Sequence, residues 1–333
     1  MNFSGRKSLR WIVPAVVVLA LAAFPLGGFG ISWLLILFLF FVYLAMANMW
    51  NLLAGYTGLV SLGQPGFIGI AGYTLGVLSL MGISPILGIA VAGGVAAGFA
   101  FLIAFPTLRL RGLYFAIGTL MVSEALSIFF DSFKPPGSNS ATWGGAGIVI
   151  KSAATVSLNE LYYLGLIVGV GSMIVMRYVL RSKLGLGLTA IRDNEQAASS
   201  LGVNIFRTKM YSLMVSAFVT GAASAVFYIF QGTIEPISGF GINWTIIVMI
   251  ATIIGGIGVE YGPVLGAFVA VLLQQYLAAF TGTYLLIEGI ILIVIISLAP
   301  SGVVGTIQKA WAKRSAKRKE LVKAATQAVP AKA

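Results

Sequence analysis

Apolar residues fill most of this chain in long runs, separated by short breaks rich in charge, Gly or Pro. A helix crossing about 30 Å of hydrocarbon needs roughly 20 such residues. Runs of that size lie near 11–26, 31–50, 60–81, 84–106, 113–133, 160–180, 210–230, 243–258, 262–280 and 283–299. The pattern predicts an all-α polytopic membrane protein with about ten transmembrane helices. Region 49–82 carries enough Gly, Ser, Asn and Pro to suit a broken or re-entrant helix as well as a full span.

Composition agrees with the pattern: 59% of residues are hydrophobic and 9% charged, against about 25% charged in a soluble domain. A net charge of +12 would suggest nucleic acid in a soluble protein. The positions of the basic residues give a different reason. With the N-terminus inside, ten spans put Arg6, Lys7, Arg10, Arg109, Arg111, Arg177, Arg181, Lys183, Arg192, Arg207, Lys209 and the run from Lys309 to Lys332 on one side, leaving only Lys134 and Lys151 opposite. Short loops rich in Lys and Arg stay cytoplasmic, so both termini are expected inside and nucleic acid drops out as a partner. The chain then divides into a membrane domain, 1–305, with a cytoplasmic loop at 181–209, and a basic cytoplasmic tail, 306–333. The tail can grip anionic lipid of the bilayer or serve as a solvated anchor with Trp311 at the interface. The first run reads as an uncleaved span or, with Arg6, Lys7 and Arg10 before it, as a signal peptide.

The chain has no Cys and no His, which removes disulfides, thiol nucleophiles and the usual zinc ligands. No metal site is expected. No G-x-x-x-x-G-K-[ST] loop occurs, so ATP is not bound in the P-loop manner.

Two sets of polar residues then stand out. The first is AIRDNEQAASSLGVN, 190–204, where two of the nine acids, Asp193 and Glu195, sit together. Asp193 reads as the cap of a short helix, accepting from the Gln196 amide while Gln196 reaches back. Ala197, Ala198, Ser199 and Ser200 keep its surface small, and Gly202 suits a left-handed stop. A compact helix of this kind fits a groove on another protein; a solvated loop is the plainer alternative. The second set lies within the spans. Glu124 is the one acid near the middle of a span, which marks it as a pathway group or an interhelical hydrogen bond. Asn48 and Asn51, then Ser61 and Gln64, repeat an i, i+3 spacing. With Thr57 and Tyr73 they can line a wet path or bridge helices. Gly255, Gly256, Gly258, Gly262, Pro263 and Gly266 read as packing and hinge positions, Gly262 and Gly266 forming a small-xxx-small pair.

The run QAASSLG, 196–202, resembles the EAA-xxx-G loop by which permeases of ATP-binding-cassette importers dock on their ATPases, with Gln in place of Glu. The wider string LGLGLTAIRDNEQAASSLGVNIFRTK is similar to the coupling loop of bacterial branched-chain amino acid permeases, particularly the LivM-type subunit. NLLAGYTGLVSLGQPGFIGIAGYT, LRLRGLYFAIGTLMVSEAL, GTIEPISGF, IIGGIGVEYGPVLGA and GIILIVIISLAPSGVVG resemble further blocks of that family in its usual order. TWGGAGI, 142–148, departs from it near Ala146, where a polar or acidic residue is common. The resemblance implies a multi-pass permease of the bacterial plasma (inner) membrane, with Arg192, Asp193, Asn194, Glu195, Gln196, Ala197, Ala198 and Gly202 in the ATPase-coupling loop. It also implies a paralogous permease subunit, an extracytoplasmic solute-binding protein, and two cytoplasmic ATPases that hold the ATP and Mg. The expected cargo is a branched-chain amino acid, with urea or amides as alternatives. From other classes, an ion-driven carrier or channel is disfavoured by the scarcity of mid-span ionisable groups, and a membrane enzyme by the absence of an acid–base or nucleophile constellation.

Overall fold

The computed structural model describes residues 16–27, 30–134 and 143–277, with isolated positions from 286 to 302. Its helices are α1 (Val16–Gly27), α2 (Ile31–Asn51), α3 (Gln64–Leu80), α4 (Pro85–Thr107), α5 (Leu113–Ser132), α6 (Leu158–Arg181), α7 (Lys183–Asp193), α8 (Glu195–Ser200), α9 (Ile205–Gln231), α10 (Pro236–Phe240), α11 (Asn243–Gly255) and α12 (Gly262–Leu277). Six stretches among the described residues are long and apolar enough to cross a membrane: Ile31–Tyr56, Pro85–Thr107, Leu113–Ser132, Leu158–Arg181, Ile205–Gln231 and Pro236–Gly255. The protein is therefore a multi-helical membrane protein. The expected last span, 283–299, the N-terminal 15 residues and the basic tail lie largely or wholly outside the described residues. One departure from pure helix is a two-stranded antiparallel pair, β1 (Ile148–Val149) with β2 (Thr233–Ile234).

α2 is the spine. From Phe40 to Asn51 every residue is buried, as expected of a helix that is apolar all round and enclosed by others. α6, α9, α11 and α12 pack around it. Close approach elsewhere rests on small residues. Ala92, Gly93, Ala96 and Ala100 of α4 face α9, where a Cβ on Gly221 would come within 2.7 Å of the Ala96 Cβ. Dispersion and backbone proximity hold such seams in lipid, where no hydrophobic force drives helices together.

Hydroxyl groups add a second kind of contact. Ser216 and Ser224 of α9 donate to the carbonyls of Met49 (3.3 Å) and Ile68 (2.7 Å). Thr245 and Thr252 of α11 donate to Leu62 (3.0 Å) and Ala47 (3.2 Å). Helix ends are set locally. Ser157 and Glu160 form a reciprocal cap on α6, Asn204 accepts from the Arg207 amide at the start of α9, and Gly232 ends α9 at φ 77°.

The region foreseen as broken or re-entrant is interrupted in a specific way. α2 loosens into a π turn at Leu52–Tyr56, residues 58–63 leave helical conformation, and α3 restarts as a 17-residue helix. Non-helical backbone at membrane depth must be satisfied by protein. Here the Trp50 indole donates to the Ser61 carbonyl (2.8 Å), the Leu62 amide donates to Thr119 (3.1 Å), and the Gly63 amide donates to Ser61 Oγ (3.3 Å).

Candidate functional site

One end of the bundle gathers α7, α8, the π turn and the α11–α12 turn. α7 exists because Ser182 caps it, accepting from the Leu184 amide (3.2 Å), and because Leu188 and Ile191 bury one face. α8 follows after a single extended residue, Asn194, whose side chain accepts from the Ala197 amide (3.0 Å). This corrects the expected cap in two respects. Asp193 is the last residue of α7, and its carboxylate is taken by Arg192 at 2.9 Å. Gln196 is exposed and makes no reciprocal cap. The segment is thus two helices joined at a corner rather than one. Gly202 adopts φ +86° just past the end of α8, with open space around it, and the Val203 amide reaches back to the Ala198 carbonyl (3.0 Å).

The corner is braced from both sides. Glu195 pairs with Lys209 at 3.0 Å; the Lys209 residue is buried and Glu195 half-buried, so the pair ties α8 to α9. Ala198 turns inward, whereas Gln196, Ala197 and Gly202 are exposed. Leu201 is 83% exposed. A small-surfaced corner tipped by one large apolar side chain is suited to filling a pocket on another protein.

Arg192 carries the corner's connection to the membrane helices. Its guanidinium donates to the Gly55 carbonyl in the π turn at 3.0 Å, and its stem packs beside Gly58, which turns at φ +74°. Next to it, the Asn51 side chain bonds the α11–α12 turn twice, accepting from the Gly258 amide (2.8 Å) and donating to the Val259 carbonyl (3.0 Å). A Cβ on Gly55 would lie 2.5 Å from the Gly258 nitrogen, so Gly there permits the contact. Arg177 of α6 pairs with Glu260 (3.8 Å) and donates to the Tyr261 hydroxyl (2.6 Å) in the same turn. The sequence gives no sign of the reach from Arg192 to Gly55, since the two are 137 positions apart.

The glycine set lies where α11 meets α12. A Cβ on Gly255 would lie 2.0 Å from the Gly262 carbonyl oxygen, and one on Gly266 1.6 Å from that of Ala251. Gly256 and Gly258 hold positive φ in the connecting turn, and Pro263 is buried beside Gly255.

The polar span residues do not form one group. Asn48, Asn51, Thr57, Ser61, Gln64 and Tyr73 are buried inside the chain. Asn48 donates to Ser172 (2.9 Å) and Thr57 to the Leu52 carbonyl (3.1 Å). Among the described residues, Asn48 Oδ1, both polar atoms of Gln64 and the Tyr73 hydroxyl have no hydrogen-bond partner. Glu124 stands apart from them, exposed on the outer face of α5. An apolar cavity of about 730 Å³ lies between α3, α4 and α5, walled in part by Tyr73, Phe129, Phe130 and Trp143.

Fold and site together describe a membrane protein with a braced, exposed corner linked to the break in a central helix. A family model for the permease component of branched-chain amino acid transport systems matches residues 32–297, and the chain belongs to that family. It is 28% identical over 286 residues to the high-affinity branched-chain amino acid transport system permease protein LivM of Escherichia coli (strain K12), covering 78% of this chain and 67% of the relative. The LivM protein of Salmonella typhimurium matches with the same identity and coverage. A probable branched-chain amino acid transport permease protein LivH of Methanocaldococcus jannaschii is 28% identical over 134 residues, 38% of this chain and 42% of the relative. No solved structure matches the chain. Family membership makes this a transport subunit rather than an enzyme.

Proposed function

We propose that this chain is a transmembrane subunit of an ATP-driven importer of branched-chain amino acids in the bacterial inner membrane, and that the α7–α8 corner docks on a separate ATPase. The reading is supported by family membership and by one observation above all: an exposed, braced corner hydrogen-bonded through Arg192 to the π turn of the central helix. In this reading ten helices span the membrane, the corner and both termini face the cytoplasm, and a second permease, two ATPases and a solute-binding protein complete the transporter.

The mechanism follows from the ties. Movement of the ATPases displaces the corner as a unit, because Glu195–Lys209 holds α8 to α9. Arg192 passes that displacement to Gly55, and Asn51 passes it to the α11–α12 turn. Access switches only if the ATPase binds the two states with different affinity. The unpaired atoms of Asn48, Gln64 and Tyr73 are polar groups that a hydrated path would satisfy once the helices part.

The test is reconstitution in proteoliposomes with the partner subunits. Leucine uptake should require ATP on the corner's side and binding protein on the other. Uptake by this chain alone, without ATP, would replace the importer with a carrier or channel.

A further inference from the structure

α5 is the least enclosed of the six long spans. Its inner side is small and polar: Thr119 and Ser123, both buried, accept from the amides of Leu62 (3.1 Å) and Gly66 (3.0 Å) where α3 restarts. One residue beyond Ser123, about 100° round the helix, Glu124 points outward and is exposed. Ile117, Met121 and Ile128 are exposed too, and their spacing puts them in one stripe with Glu124. Glu124 is the twelfth of the 20 residues in α5, so about 16 Å of helix precede it and about 12 Å follow.

A carboxylate at that depth is costly against hydrocarbon, and none of the described residues neutralises it. Among the described residues Glu124 has no hydrogen bond or ion pair. The described Lys and Arg residues lie in loops or at helix ends, away from the middle of the spans. With no partner among the described residues, the carboxylate is open to a cation or a hydrogen-bond donor from its surroundings.

We propose that the α5 stripe borders water in the assembled transporter and that Glu124 receives the ammonium group of a zwitterionic solute in transit. Neutral amides such as Asn48 and Gln64 offer a solute polarity without preference for charge; a lone carboxylate selects the cation. Ile117, Met121 and Ile128 flank it with apolar surface of the kind an aliphatic side chain needs. The identity of the solute rests on the importer reading; the wetness of the face does not.

The chain has no native Cys, which permits a direct test in membrane vesicles carrying the complete transporter. Thiols introduced by Glu124→Cys and Met121→Cys are treated with a positively charged, membrane-impermeant methanethiosulfonate. Ile167→Cys on α6 and Leu102→Cys on α4, exposed apolar positions, serve as references. The expected result is modification at least about 10-fold faster at 121 and 124, slowed severalfold by saturating leucine, because a thiol reacts as thiolate and only in water. Rates no faster than the references would overturn the proposal, the stripe then lying against lipid or a dry helix of the second permease. Glu124→Gln should lower maximal leucine uptake at least about 10-fold with ATPase capture unchanged, and Glu124→Asp should restore part of it. Full uptake by Glu124→Gln would overturn the ammonium role. Absence of leucine uptake by the unmodified transporter would count against the importer reading, whereas the thiol rates need no transport and still decide the face.

Discussion

α2 and α5 both carry polar groups at membrane depth, and they treat them in opposite ways. In α2, Asn48 and Asn51 are enclosed, and their amides bind α6 and the α11–α12 turn. In α5, Thr119 and Ser123 are enclosed in the same manner, yet Glu124 one residue further on is bare. The difference separates a helix whose polar groups bind other parts of this chain from one whose carboxylate has no partner among the described residues. Substitutions in α2 and its contacts should therefore act on folding and coupling, and substitutions on the α5 stripe should leave the isolated subunit's stability alone.

The sharpest break of this contrast is Gly55→Leu. Its Cβ would lie 2.5 Å from the Gly258 nitrogen and 2.4 Å from Asn51 Oδ1, so overpacking should cost more than about 3 kcal/mol. Size-exclusion chromatography in mild detergent should show little monodisperse protein. Asn51→Ala removes two hydrogen bonds to residues 258 and 259 and orphans backbone groups, a loss of about 2–3 kcal/mol. A thermal melt should fall by several degrees. Arg192→Ala deletes a charge-assisted bond to Gly55, on the order of 1.5–3 kcal/mol, at an exposed corner. ATPase capture should persist while leucine uptake per ATP hydrolysed drops at least severalfold. Met121→Ala, on the α5 stripe, should change the melting temperature of the isolated subunit by no more than about 0.5 kcal/mol would produce. A large loss there would erase the contrast between the two helices.

Much of this architecture is legible in the sequence because apolar runs and their breaks report directly on helix length. The runs at 31–50, 84–106, 113–133, 160–180 and 210–230 coincide with α2, α4, α5, α6 and α9 to within a few residues. The interruption after Asn51 is announced by Gly, Ser and Pro, and Gly202 stops α8 at positive φ. Other features resist such reading for physical reasons. In RDNEQ, both Asp193 and Asn194 are good caps; the choice fell to Asn194 because α7 runs through Asp193 and Arg192 occupies its carboxylate. Glu195 reads as a charge at a helix start, but its side chain is committed to Lys209 fourteen positions away. Exchanging Glu195 for Lys would thus disturb the corner's own bracing as well as any partner contact. The direction of Glu124 is hidden because the polar residues of α5, Thr119, Ser123 and Glu124, do not share one face, so no amphipathic period points to its outer side. Long-range ties such as Arg192 to Gly55 depend on tertiary placement alone.

Docking by the α7–α8 corner is the central claim, and Leu201 is its cleanest probe because it is 83% exposed and braces nothing within the chain's buried core. The decisive measurement is capture of the ATPase by the tagged chain, purified from its native membrane in mild detergent, with Leu201→Asp compared against Lys151→Ala outside the corner. The account predicts that Lys151→Ala captures the ATPase like the unaltered chain and that Leu201→Asp loses at least about 90% of it, the effect of removing one interface anchor. Equal capture by both variants would contradict it.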